Sequence, residues 1–419
     1  MANLGIVKSD ISTGVLTSGD PGHANITLVS PDGELALFNP DAYESYSITS
    51  SYNSFCDSFT FKMVDHTIDV GLGWQVLMSI GDAERFLTGI IQRRTRTLSK
   101  TDRSLSFTGK DIGSKLVEGY INTAKDYNNK TPMYIIDELV GYTDYFTKPK
   151  TITSLSDSTG FSDPDDLTAR NTAVQADADA SKTISQATAQ IVYSQEFKDL
   201  SAIANFKTSI GDTVFNKIVE LVTITGFEIY QEGGFIYIGD RSKKRENEPH
   251  RVSYTINCYP ADHPKSNLNN VLSVNFVEDI SDRYSSVQVS SQSETGHGSN
   301  FVVDTKVATD STLPNPKFFA QNMNVRDDTS GLIIGPEKVA IQIREQQRMD
   351  GYQLSYKVSG HVADNGSRWI VNHVVHVMDE INNINDDLMI YGVTYLFSQK
   401  EGHTTELTLS VPKSNQLSI

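Results

Sequence analysis

The sequence predicts an α+β fold that is mainly β, with a few helices set between many short strands. Segments with alternating apolar and polar residues recur along the chain. Turn residues separate them at spacings of roughly 8 to 12 residues, which is typical of a β-barrel or a β-sandwich. Apolar residues at helical spacing occur in fewer segments. At 419 residues the chain exceeds what one hydrophobic core usually covers, so we expect two to four domains.

The first strands are expected in the N-terminal fifth of the chain. Residues 25–39 predict a hairpin around a Pro-Asp-Gly turn. In residues 44–65, phenylalanines alternate with serine, threonine and lysine, which predicts a strand with one buried face. Gln75–Ile80 is expected to form the next strand, after a glycine-rich turn.

The segment from Phe86 to Glu118 predicts a strand, a turn, a second strand and the start of a helix. Its first strand continues into the polar run Gln92–Lys100. This run alternates arginine with threonine, as expected of a strand whose sides face water or a partner. Gly109 interrupts the alternation of the return strand, and Asp111 is placed to cap the helix that follows.

Helical spacing appears in two pieces within residues 110–146, the second after a proline. Residues 151–189 are rich in Ser, Thr, Asp and Ala with almost no aromatics, which indicates an exposed insertion or flexible loop. A docking loop that orders on assembly is the functional alternative there. Residues 211–240 predict a helix capped by Asp212 or Thr213, followed by a hairpin.

The second half of the chain repeats strand patterns. The basic run 241–251 has no interleaved aromatics, so a solvated linker is favoured over a nucleic-acid patch. Strand patterning resumes in residues 271–292, and the proline-containing residues 304–335 predict an insertion. A helix is expected from Pro336 to near Gly351. The last predicted strands cover residues 352–362, 369–377, 388–399 and 404–411.

Several of these blocks, in this order and spacing, resemble one protein family. The blocks are TGII…TDRSLSFTGKDIGSKLVE, GDTVFNKIVELVTITGFEIYQEGGFIYIGD, the strands of residues 271–292, GSRWIVN, LMIYGV and GHTTEL. They resemble the baseplate hub proteins of contractile-tailed phages, which include the phage Mu hub family and the phage late control proteins. The same fold forms the base of type VI secretion spike proteins.

The resemblance implies two β-barrel domains with smaller α/β domains. On this basis we expect a first barrel at 1–108, an α/β domain at 109–245 with an exposed insertion at 151–190, a second barrel formed by 250–298 and 352–419, and an inserted loop and helix segment at 299–351.

Composition narrows the function. The formal net charge of −16 argues against a general nucleic-acid binder, because such proteins neutralise phosphates. Two interpretations of the negative charge remain open. It could line a channel that lets DNA pass without binding it, or it could only support solubility. No apolar run approaches the ~20 residues of a membrane helix, and the N-terminus has no signal-peptide pattern. Cys56 and Cys258 are expected to be buried free thiols.

No catalytic, cofactor-binding or metal-binding residue can be nominated from the sequence. His373 and His376 lie in a predicted strand at a spacing that points them to opposite faces. His361 and His403 are isolated, as is typical of surface histidines or of buried ones with satisfied hydrogen bonds. The sequence contains no HExxH, paired-cysteine or GxSxG motif.

The resemblance implies a structural role rather than an enzyme. It implies a homotrimer in the virion tail baseplate, assembled in the host cytoplasm, that adapts the three-fold central spike to the six-fold tail tube around a DNA channel. Its expected partners are the spike, the tail tube or tube-initiator protein and other baseplate proteins. DNA would pass without specific binding, and no membrane insertion is expected. The polar strands Gln92–Lys100 and Thr404–Ser410 are the candidate subunit or tube contacts.

Three alternatives remain. A tail-associated cell-wall glycan hydrolase is one, because catalytic carboxylate pairs are spatial and need not be close in sequence. The base of a type VI-like secretion spike is another. It is disfavoured because such chains usually continue into a long β-helical needle, whereas this sequence ends at Ile419 without repeats. A receptor-binding adhesin is disfavoured by the lack of a carbohydrate-type aromatic cluster.

Overall fold

The computed structural model describes residues 24–30, 35–37, 43–64, 70–80, 86–98, 103–141, 190–232, 235–241, 254–294, 301–313, 317–324 and 335–412. The strands are β1 Ala24–Val29, β2 Leu35–Leu37, β3 Tyr43–Ser51, β4 Ser58–Val64, β5 Gln75–Ile80, β6 Leu87–Leu98, β7 Arg103–Asp111, β8 Lys125–Lys130, β9 Gln190–Tyr193, β10 Ile203–Thr208, β11 Glu228–Glu232, β12 Phe235–Gly239, β13 Tyr254–Cys258, β14 Val271–Glu278, β15 Ser286–Glu294, β16 Phe301–Thr309, β17 Phe318–Asn324, β18 Tyr352–Ser359, β19 Val374–Asp379, β20 Ile384–Ser398 and β21 Gly402–Ser410. The helices are α1 Ser114–Glu118, α2 Pro132–Val140, α3 Gln195–Lys198, α4 Val214–Ile224 and α5 Pro336–Asp350.

One 13-stranded sheet dominates the molecule. Its order is β14-β18-β21-β20-β3-β4-β7-β6-β5-β1-β2, with β19 paired to β20 and β13 paired to β19. The prediction of a mainly β fold is confirmed. The predicted hairpin of β1 and β2 and the predicted strand β5 are present as well.

Strand alternation builds the core of this sheet. In β4, Phe59, Phe61 and Met63 are buried, whereas Ser58 and Thr60 between them are exposed. Successive side chains of a strand point to opposite faces, so this pattern places one face of β4 in the core. Strands from both halves of the chain contribute to the same contiguous hydrophobic cluster.

The strands that the structure describes do not close into the two expected barrels. The early and late strands are instead joined into one sheet by β3 and β20, which pair from Ser45↔Ser398 to Ser51↔Gly392. The edge of β3 that could have closed the early strands on themselves therefore hydrogen-bonds to a late strand. The division of the chain into domains stays a prediction.

Two groups of five strands within the sheet have the same topology. The early group has the order β3-β4-β7-β6-β5, and the late group has the order β14-β18-β21-β20-β19. Numbered along the chain, the strands of each group lie in the spatial order first, second, fifth, fourth, third. All neighbours within both groups are antiparallel.

The two groups also share their irregularities. The first strand of each group carries a bulge, at Glu44 in β3 and at Leu272 in β14. The fourth strand of each group carries another, at Gln92 in β6 and at Tyr391 in β20. β-Bulges are specific features of a fold and not random defects. Their occurrence at equivalent positions therefore shows that the two groups agree in register as well as in strand order.

The residue pairs confirm this equivalence independently. Starting after the first bulge, a row of paired residues crosses the early group through Ser45, Lys62, Ser106 and Thr95. The corresponding row of the late group passes through Ser273, Lys357, Glu406 and Thr394. Both rows end three residues past the second bulge, at Thr95 and at Thr394, so three successive ladders agree without adjustment.

Gly109 lies inside β7 and does not interrupt it, contrary to the prediction. A Cβ at Gly109 would lie 2.1 Å from the Ile90 carbonyl oxygen and 2.4 Å from Cζ of Phe59. A Cβ at Gly89 would lie 2.3 Å from Cε1 of the same ring. The two glycines therefore make room for the Phe59 ring, and their role is close packing within the sheet.

The chain then enters an α/β module that is built from α1–α4 and β8–β12. Asp111 is the last residue of β7. The prediction that it caps α1 is wrong, because α1 begins after Gly113 and has no side-chain cap. The cap of α4 is Thr213, whose side chain accepts a hydrogen bond from Asn216 N. The module contains the antiparallel pair β10-β8 and the sheet β11-β12-β9, packed around their own hydrophobic cluster.

A third unit consists of the sheet β16-β15-β17 with α5 packed on it. β15, which the sequence pattern groups with the late strands, pairs here and not in the large sheet. The region predicted as an insertion contains β16 and β17. α5 begins at Pro336 and ends before Gly351, as predicted.

Some predictions lie outside the described residues, among them the insertion at 151–189 and most of the basic run 241–251. Within the described residues, no helix is both long enough and apolar enough to cross a membrane.

Candidate interaction surfaces

The second half of β6 is an exposed strand with one open edge. All side chains from Gln92 to Leu98 are exposed, and Leu98 exposes 64% of its surface. β5 pairs with β6 only up to Ile90, and the hydrogen bonds of Ile91 with the backbone of Gly73 and Trp74 end the contact. Beyond this point the edge opposite β7 has no neighbouring strand among the described residues. The prediction that this polar run faces water or a partner agrees with its exposure.

Three arginines give this segment, which we call the β6 arm (Arg93–Leu98), its charge. Arg93, Arg94 and Arg96 are exposed, and Nη1 of Arg94 donates a hydrogen bond of 2.6 Å to the Val70 carbonyl oxygen. An exposed strand edge is a template for pairing with another chain, and charged side chains on it limit uncontrolled association.

β14 forms one end of the large sheet and is a second open edge among the described strands. Among the described strands it pairs only with β18. Leu272, Phe276 and Val277 expose 58%, 42% and 50% of their surfaces. The strand ends in the exposed acidic pair Glu278 and Asp279, and a hydrogen bond from Ser281 lowers the pKa of Asp279. The edge therefore combines apolar side chains with negative charge.

The sequence patterns missed β14 as a surface. The sequence predicts strand patterning in residues 271–292 but does not nominate this strand as a contact surface. The available signal is the loss of alternation in VLSVNFVE, which is typical of a strand covered on both faces, followed at once by acidic residues.

The other predicted contact, Thr404–Ser410, is an interior strand of the sheet without an open edge, although Glu406 in it is exposed. β21 lies between β18 and β20, and Thr405 and Ser410 are completely buried. Thr405 Oγ1 donates to the Gly360 carbonyl oxygen at 2.6 Å, and Ser410 Oγ donates to the Met349 carbonyl oxygen at 2.6 Å. Its polar side chains satisfy backbone acceptors in the fold, which the sequence pattern alone could not distinguish from exposure.

The joint between β3 and β20 shows how the two strand groups are held together inside one chain. Tyr46 Oη of β3 lies 2.8 Å from Nε2 of His361 and 3.1 Å from Nδ1 of His403. The Tyr46 ring also stacks on Phe397 with centroids 5.3 Å apart. His361 is completely buried, and its Nδ1 lies 3.1 Å from Thr405 Oγ1, as expected of a satisfied core histidine.

The junction between the large sheet and the α/β module holds a buried carboxyl group. Asp111 is 1% exposed, and its Oδ1 accepts a hydrogen bond from Gly113 N at 3.4 Å. Burial, and then the negative charge of Asp57, raise the pKa of Asp111 well above its ordinary value. Glycoside hydrolysis uses a carboxyl group with a raised pKa, but it must contact the polymer, and the enclosed Asp111 cannot.

Arg241 sits at the same junction. The sequence placed it in a solvated linker, whereas the structure buries it. Its guanidinium carbon lies 4.0 Å from the Tyr52 ring centroid and 4.8 Å from that of Tyr230. Nη1 of Arg241 donates to the Tyr52 carbonyl oxygen at 2.9 Å. Arg241 therefore ties the end of β12 to the turn after β3.

In the part of the chain that the structure describes, no group of three His, Cys, Asp or Glu residues could hold an ion. His373 is buried, whereas His376 is on the surface beside Asp387 at 2.8 Å. Cys56 and Cys258 are free, and burial raises the pKa of the half-buried Cys56 thiol to about 12. Cys258 is buried, as predicted.

Sequence comparison identifies one region of the chain. Residues 346–411 match the family described as the C-terminal domain of a tail protein. This region contains β18 to β21, which are four of the five strands of the late group. No curated protein sequence matches the chain.

Solved structures share the fold over nearly the whole chain. The tail protein of Neisseria meningitidis MC58 is 19% identical, with a TM-score of 0.62, and the match covers 93% of this chain and 96% of that one. The 43 kDa tail protein of prophage MuSo2 from Shewanella oneidensis is 14% identical, with a TM-score of 0.62 and coverage of 93% and 99%. A chain of the Francisella PdpA-VgrG complex is 9% identical, with a TM-score of 0.52 and coverage of 92% and 52%. The chain thus has the fold of phage tail proteins, and residues 346–411 match the C-terminal domain of a tail protein.

Proposed function

We propose that this chain is the structural hub of the baseplate of a contractile phage or phage-like tail. It assembles as a homotrimer, joins the three-fold central spike to the six-fold tail tube and surrounds the channel for DNA. The observation that carries the proposal is the internal duplication, because the early and late groups share strand order, strand direction and both bulges.

The duplication accounts for the mismatch between a three-fold ring and a six-fold tail tube. A ring of three identical chains has three-fold symmetry, so it matches a six-fold partner only if each chain presents two equivalent surfaces. Two near-identical strand groups in one continuous sheet supply such surfaces. Three chains then present six similar groups around one axis.

The proposed partners follow from this position. The six-fold face of the ring contacts the tail tube or its initiator protein, the three-fold face contacts the spike, and the outer surface contacts other baseplate proteins. A net charge of −16 supports a lumen that does not bind DNA, since like charges repel. The protein is made in the host cytoplasm and ends up in the virion tail.

The test is the mass of the particle in solution. We expect sedimentation or native mass measurement of the full chain, alone and with its spike protein, to give a species of three times the 46.3 kDa chain mass. A chain that stays monomeric under both conditions contradicts the proposal. A cell-wall zymogram of the same preparation is expected to show no clearing, and clearing would favour the glycan hydrolase instead.

A further inference from the structure

β20 has two partners along a single edge. β19 pairs with its first half, from Ile384 to Met389, and β3 pairs with its second half, from Gly392 to Ser398. β6 is the counterpart of β20 in the early group. β5, the counterpart of β19, covers only its first half, from Leu87 to Ile90. Among the residues that the structure describes, the β6 arm therefore has no counterpart of the strand that covers the equivalent half of β20.

The missing neighbour must be the counterpart of β3, which is β14. β14 cannot fill this place in its own chain, because it stands at the far end of the sheet, beyond β18 and β21. Both β14 and the β6 arm thus have an open edge among the described residues. By analogy with the β3–β20 pair, each is the strand expected to pair with the other. A second copy of this chain supplies both.

We propose that β14 of one copy pairs antiparallel with the β6 arm of a neighbouring copy, as β3 pairs with β20 within the chain. The inference rests on the proposed homotrimer and identifies the strands that join its subunits. Because the two strands differ, the joint is head-to-tail, and the three-fold rotation of the proposed homotrimer is what closes such joints into a ring. Three internal joints and three joints between copies then alternate around one ring.

The internal joint fixes the register of the new one. The bulges equate Arg93 with Gly392 and Ser273 with Ser45. Transferring the β3–β20 register then places Arg93 opposite Asp279, Arg94 opposite Glu278, Thr95 opposite Val277, Arg96 opposite Phe276 and Leu98 opposite Val274.

The side chains that this register brings together are complementary. Arg93 and Arg94 meet Asp279 and Glu278, although charge had no part in deriving the register. Residues directly opposite each other in a strand pair have Cβ atoms about 4.5 to 5.5 Å apart, which allows ion pairs to form. Pairing also satisfies the open backbone edges and covers exposed apolar side chains of β14.

Cysteine cross-linking tests the register directly. The double variant Arg93→Cys/Asp279→Cys is expected to form disulfide-linked trimers on mild oxidation, because opposite Cα atoms of an antiparallel pair, about 4.5 to 5.5 Å apart, lie within the range that a disulfide spans. The matched control is Arg93→Cys/Asn275→Cys, which places an equally exposed cysteine four residues out of register and should give no trimer ladder. The single variants report any linkage to the native Cys56.

Charge reversal tests the energetics. The variant Arg93→Glu/Arg94→Glu is expected to weaken assembly at least about tenfold, since it faces two acids with two acids. Adding Glu278→Arg/Asp279→Arg is expected to restore it. All four side chains are exposed, so circular dichroism of the variants should match the wild type.

The outcomes separate the two proposals. A wild-type trimer that survives charge reversal and forms no in-register disulfide overturns this joint and leaves the hub proposal standing. A wild-type chain that never forms a trimer, even with its spike, overturns the hub proposal itself. Cross-linking by the out-of-register pair alone would also overturn the joint, because it would require a different strand register.

Discussion

The internal joint β3–β20 and the open pair of β14 and the β6 arm occupy equivalent places in a duplicated fold, but their side chains differ. The internal joint buries Tyr46, Ile48 and Tyr395, which are at most 4% exposed. The corresponding positions in the open strands are Val274, Phe276 and Arg96. The comparison indicates that a joint made during folding uses buried aromatic and aliphatic packing. An edge that stays open in the free chain carries charge, which keeps it soluble until its partner arrives.

The cores of the two strand groups are filled by different side chains at equivalent positions. In the early group the Phe59 ring lies over Gly89 and Gly109. At the three corresponding positions the late group has Leu354, Leu388 and Leu409, which are all buried. One large ring between two glycines is replaced by three medium side chains, so the strand register is kept while the side chains that fill the core change.

The largest effects are expected from breaking this packing. Leu409→Ala should lower the free energy of unfolding by about 2–5 kcal/mol through a cavity, and Gly109→Ala by about 1–3 kcal/mol or more through overpacking against the Ile90 carbonyl. Urea unfolding measures both. The exposed Thr108→Ala on the same strand should change stability by less than about 0.5 kcal/mol. An Ala at Gly109 that is neutral would contradict this account of the glycine.

A smaller effect is expected from the polar contacts of the internal joint. Tyr46→Phe keeps the ring that stacks on Phe397 but removes the hydroxyl between His361 and His403. We expect a loss of about 1–3 kcal/mol, because a buried histidine nitrogen is left without that partner. The exposed Tyr120→Phe is the matched control. Equal unfolding midpoints for the two variants would mean that the joint is held by apolar packing alone.

The smallest expected effect is on the pH dependence of stability, through Asp111 at the end of β7. The corresponding residue of the late group, just after β21, is Val411. Because burial raises the pKa of Asp111, the folded state binds its proton more tightly than the unfolded state does. Its contribution to stability is therefore full below an unfolded pKa of about 3.9 and is lost as the pH rises through the folded pKa.

The variant Asp111→Asn tests this sign. Relative to the variant, the wild type is expected to lose unfolding free energy as the pH is raised from roughly 4 to 7, measured by urea unfolding at each pH. The exposed Asp262→Asn serves as the control. A wild type that gains stability over the variant in this range would assign the opposite sign to the pKa shift.

Local elements were predictable because they follow local rules. The alternation of phenylalanine with polar residues gave β4, and Pro336 and Gly351 gave both ends of α5. Errors occurred where a residue has a role in tertiary packing. The sequence predicts a break in strand alternation at Gly109, because its contact with Phe59 comes from a strand that is distant in sequence. It predicts a helix cap at Asp111, because the burial of this side chain cannot be seen locally.

The candidate interaction surface was only half predictable. The polar composition of Gln92–Leu98 marks an exposed strand, and the structure exposes it. Thr404–Ser410 has a similar composition but lies between two strands, because polar side chains that hydrogen-bond to backbone carbonyls can be buried. β14 was predicted as a strand but not as a contact, because apolar composition alone does not show that Leu272, Phe276 and Val277 are exposed.

By itself the sequence determined the mainly β class, most strand positions and the polar run of β6, because side-chain alternation and turn chemistry are local properties. Only the tertiary structure decided which strands are neighbours. Hydrogen bonding between distant segments placed β3 beside β20 and left β14 and the β6 arm with open edges. Strand pairing depends on the register of whole groups, and no short stretch of sequence contains that information.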